Sequence, residues 1–558
     1  MRIALAVLAA ALALPVSAAA QERTEAPVKS RAVDAKLFRQ SYVRIHDPLP
    51  AGSAAHPEAC DWLGYTRWRN AKGPKKATKA HSVLVLMPGF LGGAGTFDSV
   101  ARNAIRAAAA RKRNIEVWGL DRRANCLEDL HGVQAADRAK SILPAFDYYW
   151  GGKEVEGRRF AGFTSPQDAK FLEDFGLERT VRDWHTVLTR EIPSQSHRAK
   201  RVICGGHSLG GPITAAFASW DFDGNEETTE DAGYNQCAGF VGFDTTVELD
   251  GSGGGAAGGG VATGIAAQSG AAPYINAPPL TPGTIQLTAI AGVGAFHAPT
   301  TESRLNKLVP NTPEYELTLR ALFSRDAVNF ATGSPNPRDY RLTGAATFGA
   351  VFDDNSAGLS FLRASLGFVT GGPLVDKNFP TPNPTLAITA STEPLYTWQD
   401  YTEVGKDGAP VALNSRGEPY TNRDSEATSI REMARTFFEG PTNFIEQYFP
   451  VRILTDVSAA ESGDRSGSLD GLKHNGPAMK PILLIQAGDS DDNDGPDSGP
   501  ARVSESRPND KPLSREIVIP GYNHLDTTMA ARVQTDGHTE ISSSKLALFA
   551  MKLVPGRR

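Results

Sequence analysis

Short apolar runs that end in Gly, Pro or Asp alternate along this chain with longer segments of helical spacing. The apolar runs are rich in β-branched residues, which is typical of strands that are buried on both faces of a sheet. The six predicted strands are VLVLMPGF (83–90), IEVWGLD (115–121), RVICGGHS (201–208), CAGFVGFD (237–244), PILLIQAGD (481–489) and EIVIPGYNH (516–524). Helical spacing in residues 97–113, 171–192 and 543–554 completes β-α-β units, so the pattern predicts an α/β fold around a mostly parallel sheet flanked by helices.

The interval 245–475 breaks this alternation. It opens on the glycine-rich GSGGGAAGGG and then carries several helical patterns, among them EYELTLRALFSRDAVNF and FFEGPTNFIEQYF. About 230 residues are too many for a structureless loop in a compact domain, so we expect a large, mainly helical cap. The aromatic residues near its end are expected to form the core of the cap rather than an acyl pocket: Phe437, Phe438, Phe444, Tyr448 and Phe449.

The first 20 residues have the pattern of a secretory signal. Arg2 precedes an apolar run that is too short to span a bilayer, and small residues before Gln21 fit a cleavage site after Ala20. We therefore expect an exported protein, periplasmic or secreted, without stable membrane insertion. The predicted domains are a signal peptide (1–20), a core (21–244 and 476–558) and the cap (245–475).

Composition excludes some classes of function. The 558 residues are 40% hydrophobic and 22% charged, which is ordinary for a globular protein. The formal net charge of -5 is small and gives no basic face for a nucleic-acid partner. Neither His-Glu-x-x-His nor a zinc-type cysteine pair occurs, so a metallohydrolase has no support.

Four cysteines allow three pairings in an oxidising compartment. Cys60 and Cys126 lie outside the apolar strands, and we favour a disulfide between them. Cys204 and Cys237 lie in or at predicted strands, where buried thiols are an adequate interpretation.

The stretch VICGGHSLGGP (202–212) is the strongest candidate for chemistry. An apolar strand precedes Ser208, and a proline suited to the first turn of a helix follows it. If Ser208 lies on a tight strand-to-helix turn, side chains two residues before and after it would collide with the neighbouring chain. Gly206 and Gly210 remove that collision.

The sequence GHSLGG after a β-branched strand resembles the nucleophile elbow of α/β-hydrolases, especially lipases and esterases. The resemblance covers residues 83–244 and 481–558. It implies an α/β-hydrolase fold, a serine nucleophile, no cofactor, and the chain order serine, acid, histidine. It also implies that enzymes with an aspartate nucleophile are disfavoured here.

The resemblance places the catalytic histidine after the last strand, where His524 lies in VIPGYNHLD. The acid would follow PILLIQAGD, usually three residues after its closing glycine, which is Asp491. Asp489 and Asp492 remain alternatives. The acidic run DSDDNDG could also bind calcium, although no register completes a calcium loop of the helix-loop-helix type.

Two backbone amides are expected to bind the oxyanion of the tetrahedral intermediate. One is Leu209, directly after the nucleophile. By resemblance the other is Phe90 in MPGFLGG, with Leu91 as the next choice, unless this stretch is an ordinary Pro-Gly turn. Arg122 and Arg123 follow the second strand, where ion pairs that fix the loop are favoured over binding of a substrate carboxylate.

These residues predict an exported serine hydrolase that cleaves small-molecule or lipid-like carboxylic esters through an acyl-enzyme. The same machinery could serve an amidase or peptidase. A binding protein that keeps the fold without catalysis is the alternative from another class. The sequence does not indicate the oligomeric state.

Overall fold

The computed structural model describes residues 22–249, 260–406, 411–441, 444–488, 504–534 and 537–554. The strands are β1 (Arg23–Pro27), β2 (Phe38–His46), β3 (Trp62–Asn70), β4 (Ser82–Met87), β5 (Ile115–Asp121), β6 (Glu154–Val155), β7 (Arg158–Arg159), β8 (Val202–His207), β9 (Gly239–Phe243), β10 (Gly367–Thr370), β11 (Leu374–Asp376), β12 (Ala387–Thr389), β13 (Thr397–Asp400), β14 (Ile482–Ala487), β15 (Ser504–Ser506) and β16 (Arg515–Ile519).

The helices are α1 (Asp98–Ala110), α2 (His131–Ala139), α3 (Leu143–Tyr149), α4 (Leu177–Glu191), α5 (Gln195–Arg201), α6 (Gly210–Ser219), α7 (Gly260–Gln268), α8 (Pro282–His297), α9 (Leu305–Leu308), α10 (Pro313–Phe323), α11 (Ala327–Thr332), α12 (Gly344–Phe352), α13 (Ile430–Thr436), α14 (Val451–Glu461), α15 (Asp526–Met529) and α16 (Ile541–Leu553). Within the described ranges, none of these helices has the length and apolarity needed to cross a membrane. The predicted signal peptide lies outside the described residues.

One ten-stranded sheet runs in the order β1-β2-β3-β5-β4-β8-β9-β14-β16-β15. The strands from β5 to β16 in this order pair in parallel, and all six predicted strands are among them. This confirms the predicted α/β class with a mostly parallel sheet. The antiparallel strands β1, β2, β3 and β15 extend the sheet at its two edges and were not predicted.

Helices cover both faces of the sheet because its strands are apolar on both faces. Alternate strand residues divide between two hydrophobic clusters: Leu84 and Leu86 pack with α1 and α16, whereas Val83, Val85 and Met87 pack with α4 and α6. Because the central strands pair in parallel, their carboxyl ends lie at one edge of the sheet.

The described residues between β9 and β14 add no strand to the ten-stranded sheet. They form α7 to α14 and two small antiparallel sheets, β10 with β13 and β11 with β12. The five aromatic residues near the end of this insert are all buried, as expected, and Phe437 stacks on Phe444 at 4.5 Å. Phe449 differs from the others because its ring contacts Phe90 of the core at 5.1 Å.

A buried ion network ties the insert to the core. Arg435 of α13 pairs with Asp98 at the start of α1, and Asp98 also accepts a hydrogen bond from Arg102 at 2.9 Å. Burial opposes ionisation of Asp98, but the charges of Arg435 and Arg102 outweigh it and lower its pKa to about 2. The carboxylate is therefore ionised at all ordinary pH values.

The four cysteines form two disulfides. Cys60 and Cys126 are bonded, with Cα atoms 5.0 Å apart, as favoured from the sequence. The interpretation of Cys204 and Cys237 as thiols was wrong, because they too are bonded, with Cα atoms 5.9 Å apart. The parallel pairing of β8 with β9 brings Cys204 next to the residues that lead into β9.

Replacing Asp98 by Asn should lower the free energy of unfolding by about 3 kcal/mol at pH 7, since it leaves buried guanidinium groups without their partner. A carboxylate whose pKa is lowered by folding stabilises the protein above its unfolded pKa. That stabilisation is lost as the pH falls towards 2. The difference in free energy of unfolding between wild type and variant, measured by urea unfolding, should therefore become smaller below about pH 4.

The matched control is Glu156→Gln, which removes one partner of the exposed ion pair with Arg138. It should leave the urea midpoint unchanged. Equal effects of the two variants would show that the Asp98 network does not hold the insert to the core.

Candidate active site

Ser208 lies between β8 and α6 in a backbone conformation that is unusual for a side chain other than glycine. Its φ angle is +55°. The Ser208 amide donates to the carbonyl of Phe243 at 3.0 Å, and its carbonyl accepts from the amide of Gly211 at 2.8 Å. These bonds hold a left-handed residue that would otherwise relax, and they place its side chain at the end of the strand.

The glycines of the motif have the role that the sequence predicts. A Cβ atom on Gly206 would overlap the carbonyl oxygen of Gly210, and one on Gly210 would overlap the carbonyl oxygen of Met87. The turn can close only because both positions lack a side chain. Leu209 is the N-cap residue of α6, so its amide lies at the positive end of the helix dipole.

His524 follows β16 and meets a carboxylate that was not selected from the sequence. Its Nδ1 atom lies 2.5 Å from Oδ2 of Asp244. Asp244 is the residue directly after β9, with a φ angle of +46°, and its other oxygen accepts a hydrogen bond from the Ala487 amide at 3.0 Å. Two contacts therefore fix the carboxylate against the imidazole.

The expected acid at Asp491, with its alternatives Asp489 and Asp492, lies outside the described residues. The described partner of Nδ1 is instead Asp244, one strand earlier in the sheet. An available signal was its position: Asp244 ends a predicted strand that adjoins β8, so its side chain starts at the same edge of the sheet as Ser208.

His207, the residue before Ser208, contacts His524. Its Nε2 atom lies 3.0 Å from the backbone carbonyl oxygen of His524, and the two rings are 4.4 Å apart. Burial, aided by the nearby His524, lowers the pKa of His207 to about 3, so this ring is neutral and donates to the carbonyl. Because His207 directly precedes Ser208, this bond joins the serine turn to the histidine loop.

The histidine loop is also bonded to the insert through Asp526. This buried carboxylate accepts hydrogen bonds from the Asn523 amide at 2.8 Å, from the Ser365 hydroxyl at 2.9 Å and from the Thr428 hydroxyl at 2.5 Å. Burial raises the pKa of Asp526 to about 6 despite these donors. The loop that carries His524 is thus held from the side of the insert as well as from the sheet.

The loop after β4 packs directly against the serine. A Cβ atom on Gly89 would lie 2.7 Å from Cβ and 3.2 Å from Oγ of Ser208, so a side chain is excluded there. The peptide that follows carries the amide of Phe90, and Leu91 has a left-handed backbone with φ of +56°. This is the placement expected of a loop that supplies an oxyanion amide.

Arg122 binds the backbone of the loop after β4. Its guanidinium donates to the carbonyl oxygens of Pro88 at 2.5 Å, Gly89 at 2.9 Å and Gly92 at 3.0 Å. It also pairs with the buried Glu446 of the insert at 2.8 Å. Arg123 instead binds Asp47 and Asp183, so both arginines fix loops, as favoured from the sequence.

The insert pairs with the same loop through its backbone. The Glu446 amide donates to the Leu91 carbonyl at 2.7 Å, and the Gly93 amide donates to the Phe444 carbonyl at 2.8 Å. The ring of Phe90 packs edge-on against Phe449 and Phe361, both from the insert. Ser208 and His524 are each only 6% exposed, so the insert covers the site.

No protein-family model matches this chain, and no curated protein matches it. Several solved structures are similar to it. A lipase in its open form is 10% identical, with a TM-score of 0.27 over 96% of this chain and 100% of the lipase. A soluble variant of monoglyceride lipase from Saccharomyces cerevisiae, in complex with a substrate analog, is 11% identical, with a TM-score of 0.26 over 89% and 92%.

The peroxisomal α/β-hydrolase Lpx1 from Saccharomyces cerevisiae is 14% identical, with a TM-score of 0.18 over 40% of this chain and 44% of that protein. With likenesses this remote, the assignment of the fold rests on the strand order, the parallel pairing and the left-handed serine between β8 and α6. The chain has the α/β-hydrolase fold.

Gly206→Ala should destabilise the protein by about 3 kcal/mol or prevent folding, because the new methyl group overlaps the backbone of α6. Thermal and urea unfolding of the purified variant measure this. Gly294→Ala is the matched control, since a Cβ atom there meets only the end of Ile142 at 3.5 Å, in ordinary contact. Alanine favours a helix interior, so the control should be neutral or slightly stabilising. Wild-type stability of Gly206→Ala would contradict the turn geometry.

Proposed function

We propose that this chain is a serine hydrolase that cleaves carboxylic esters with Ser208 as nucleophile, His524 as general base and Asp244 as the orienting acid. The observation that supports this most directly is the 2.5 Å contact between Nδ1 of His524 and Asp244, beside a serine held in a left-handed turn. The three residues follow one another along the chain in the order serine, acid, histidine.

Each group has a defined role in the proposed reaction. Asp244 accepts the Nδ1–H bond and thereby leaves Nε2 of His524 without a proton, ready to take one from the Ser208 hydroxyl. The Ser208 oxygen attacks the ester carbonyl, and the amides of Leu209 and Phe90 bind the resulting oxyanion. His524 then protonates the departing alcohol, and water repeats the two steps to release the acid.

Asp244 takes the place of Asp491 in this proposal for a physical reason. Nδ1 carries a single proton and needs a single acceptor, and Asp244 occupies that position with its second oxygen fixed by the Ala487 amide. The insert lies between β9 and β14, so it follows the acid when Asp244 is the acid, whereas it would precede an acid at Asp491.

The surroundings of the site favour an ester with an apolar acyl group. Phe90, Phe361 and Phe449 form a buried aromatic contact at the loop after β4, which makes this side of the proposed site apolar. Two of these rings belong to the insert. The proposal includes export, for which the two disulfides are supporting observations.

A fluorophosphonate probe should label the folded full chain at Ser208, and Ser208→Ala should abolish both labelling and hydrolysis of short aryl esters. Peptide mass spectrometry locates the adduct. A matched ester and amide pair compares the proposed activity with that of an amidase, and faster turnover of the amide would reject ester specificity. An unlabelled, folded wild type that hydrolyses neither substrate would contradict the proposal as a whole.

Asp244→Asn should lower kcat by about a thousandfold or more, because the amide favours the wrong tautomer of His524. The matched control is Asp491→Asn, which should keep wild-type kcat and KM on the same ester. The reverse result, activity lost in Asp491→Asn and kept in Asp244→Asn, would return the acid to the later loop.

Arg122→Met should lower kcat about tenfold to a hundredfold with little change in KM, because the oxyanion loop loses three carbonyl contacts but the ester-binding surface remains. Arg122→Lys should recover part of kcat, since an ammonium group can reach some of these carbonyls. Arg182→Met, at an exposed ion pair, is the control and should leave kcat unchanged. An unchanged kcat in folded Arg122→Met would show that Arg122 does not position the loop.

A further inference from the structure

The loop between α6 and β9 contains the sequence DFDGNEETTED, residues 221–231. None of its residues takes part in the proposed reaction. Three of its carboxylates converge: one oxygen atom each from Asp221, Asp223 and Asp231 lies within 4.8 Å of the other two.

In two of these carboxylates, one oxygen accepts hydrogen bonds from backbone amides of the loop and the other oxygen has no donor. Oδ2 of Asp231 accepts from the amides of Phe222 at 2.8 Å and Asp223 at 2.7 Å, and Oδ1 of Asp221 accepts from the Gly224 amide at 2.9 Å. Oδ2 of Asp221 and Oδ1 of Asp231 are buried without a hydrogen-bond partner. Asp221 as a whole is only 2% exposed.

A buried anionic oxygen without a donor is costly, so a ligand with positive charge is expected at this point. None of the ion pairs found among the described residues involves these three aspartates. The neighbouring Glu226 takes the only lysine contact recorded for the described part of this loop, at 3.5 Å from Lys473.

We propose that Asp221, Asp223 and Asp231 bind a calcium ion. Carboxylate oxygens are the ligands that calcium prefers, and two oxygens bound to one calcium ion lie at most about 5 Å apart. The three oxygens of this cluster lie within that limit. Magnesium requires shorter bonds and a stricter octahedron. Water molecules at the exposed side of Asp223 complete the shell.

A second cluster of carboxylates, Asp353, Asp354 and Glu426, differs from the first in its hydrogen bonds and its protonation. Both oxygens of Glu426 accept hydrogen bonds, from the Gly367 amide at 2.6 Å and from Thr421. Burial raises the pKa values of Asp353 and Glu426 well above their usual range, which favours shared protons rather than three negative charges. This cluster serves as a comparison in the experiment.

The calcium site has a structural role because of where its loop is attached. The loop leaves the end of α6, which starts next to Ser208, and leads into β9, which Asp244 follows directly. The Asp221 amide also donates to the Gly471 carbonyl at 2.8 Å. A bound ion would fix the connection between the two elements that carry the nucleophile and the acid, without taking part in the reaction.

Calcium binding to the chelator-treated full chain can be measured by isothermal titration calorimetry, with thermal unfolding as a second readout. The wild type should bind one calcium ion at this site, with a dissociation constant of about 1 mM or below, and its Tm should rise by several degrees. Asp223→Asn, at an exposed position, should fold without calcium and weaken binding at least about tenfold. Asp231→Asn should do the same.

Glu227→Gln is the matched control, since it removes one negative charge from the same loop outside the cluster, and it should keep wild-type affinity. Binding that persists unchanged in both Asp223→Asn and Asp231→Asn, or that is lost in Asp354→Asn or Asp491→Asn instead, would overturn the proposal. So would the absence of calcium binding in the wild type. The Ser208→Ala variant should bind calcium normally, so these results are independent of the proposed hydrolase activity.

Discussion

The close approach of three backbone segments around Ser208 is the constraint on which the rest of the site depends. The end of β8, the first turn of α6 and the loop after β4 meet where Gly206, Gly210 and Gly89 have no side chains. Without that approach, Ser208 could not hold its left-handed conformation against the strand edge. The same approach brings the oxyanion loop against the nucleophile, so one steric condition positions two parts of the proposed machinery.

The insert is bonded directly to two loops of the proposed site, the one that carries Phe90 and the one that carries His524. It holds the oxyanion loop through Glu446 and Arg122, and it holds the histidine loop through donors to Asp526. The buried pair of Arg435 with Asp98 anchors the insert to α1 of the core. A displacement of the insert would therefore move the loop of Phe90 and the loop of His524 together.

Electrostatics in the site follows from burial. His207 is kept neutral and donates to the backbone of His524, and Asp526 is buried among donors from two parts of the chain. These groups do not need to touch a substrate. They fix the loop that carries His524, whose imidazole contacts Asp244. The proposed general base can then exchange protons without first reorganising.

Local sequence determined the elements that depend on period and on turn chemistry. The β-branched runs fixed the six parallel strands, and the glycines around Ser208 fixed the strand-to-helix turn, because both are set by residues a few positions apart. The disulfide of Cys60 with Cys126 was favoured for another reason, because both cysteines lie outside the predicted strands. His524 was selected because the resemblance places a histidine after the last strand. The edge strands β1 and β2 were missed because they are partly exposed, so charged and polar residues interrupt the apolar pattern that marks the buried parallel strands.

Only the tertiary structure decided which carboxylate faces His524. Asp244 and His524 are 280 residues apart. The sheet order, not the sequence spacing, places β9 next to β8, which leads to the serine, and only β14 separates β9 from β16, which leads to the histidine. The roles of Arg122, Glu446 and Asp526, and the bond between Cys204 and Cys237, depend on the same long-range packing. Sequence specifies which chemical groups a chain possesses and what each segment prefers, whereas the distances between those groups arise only when the layers pack.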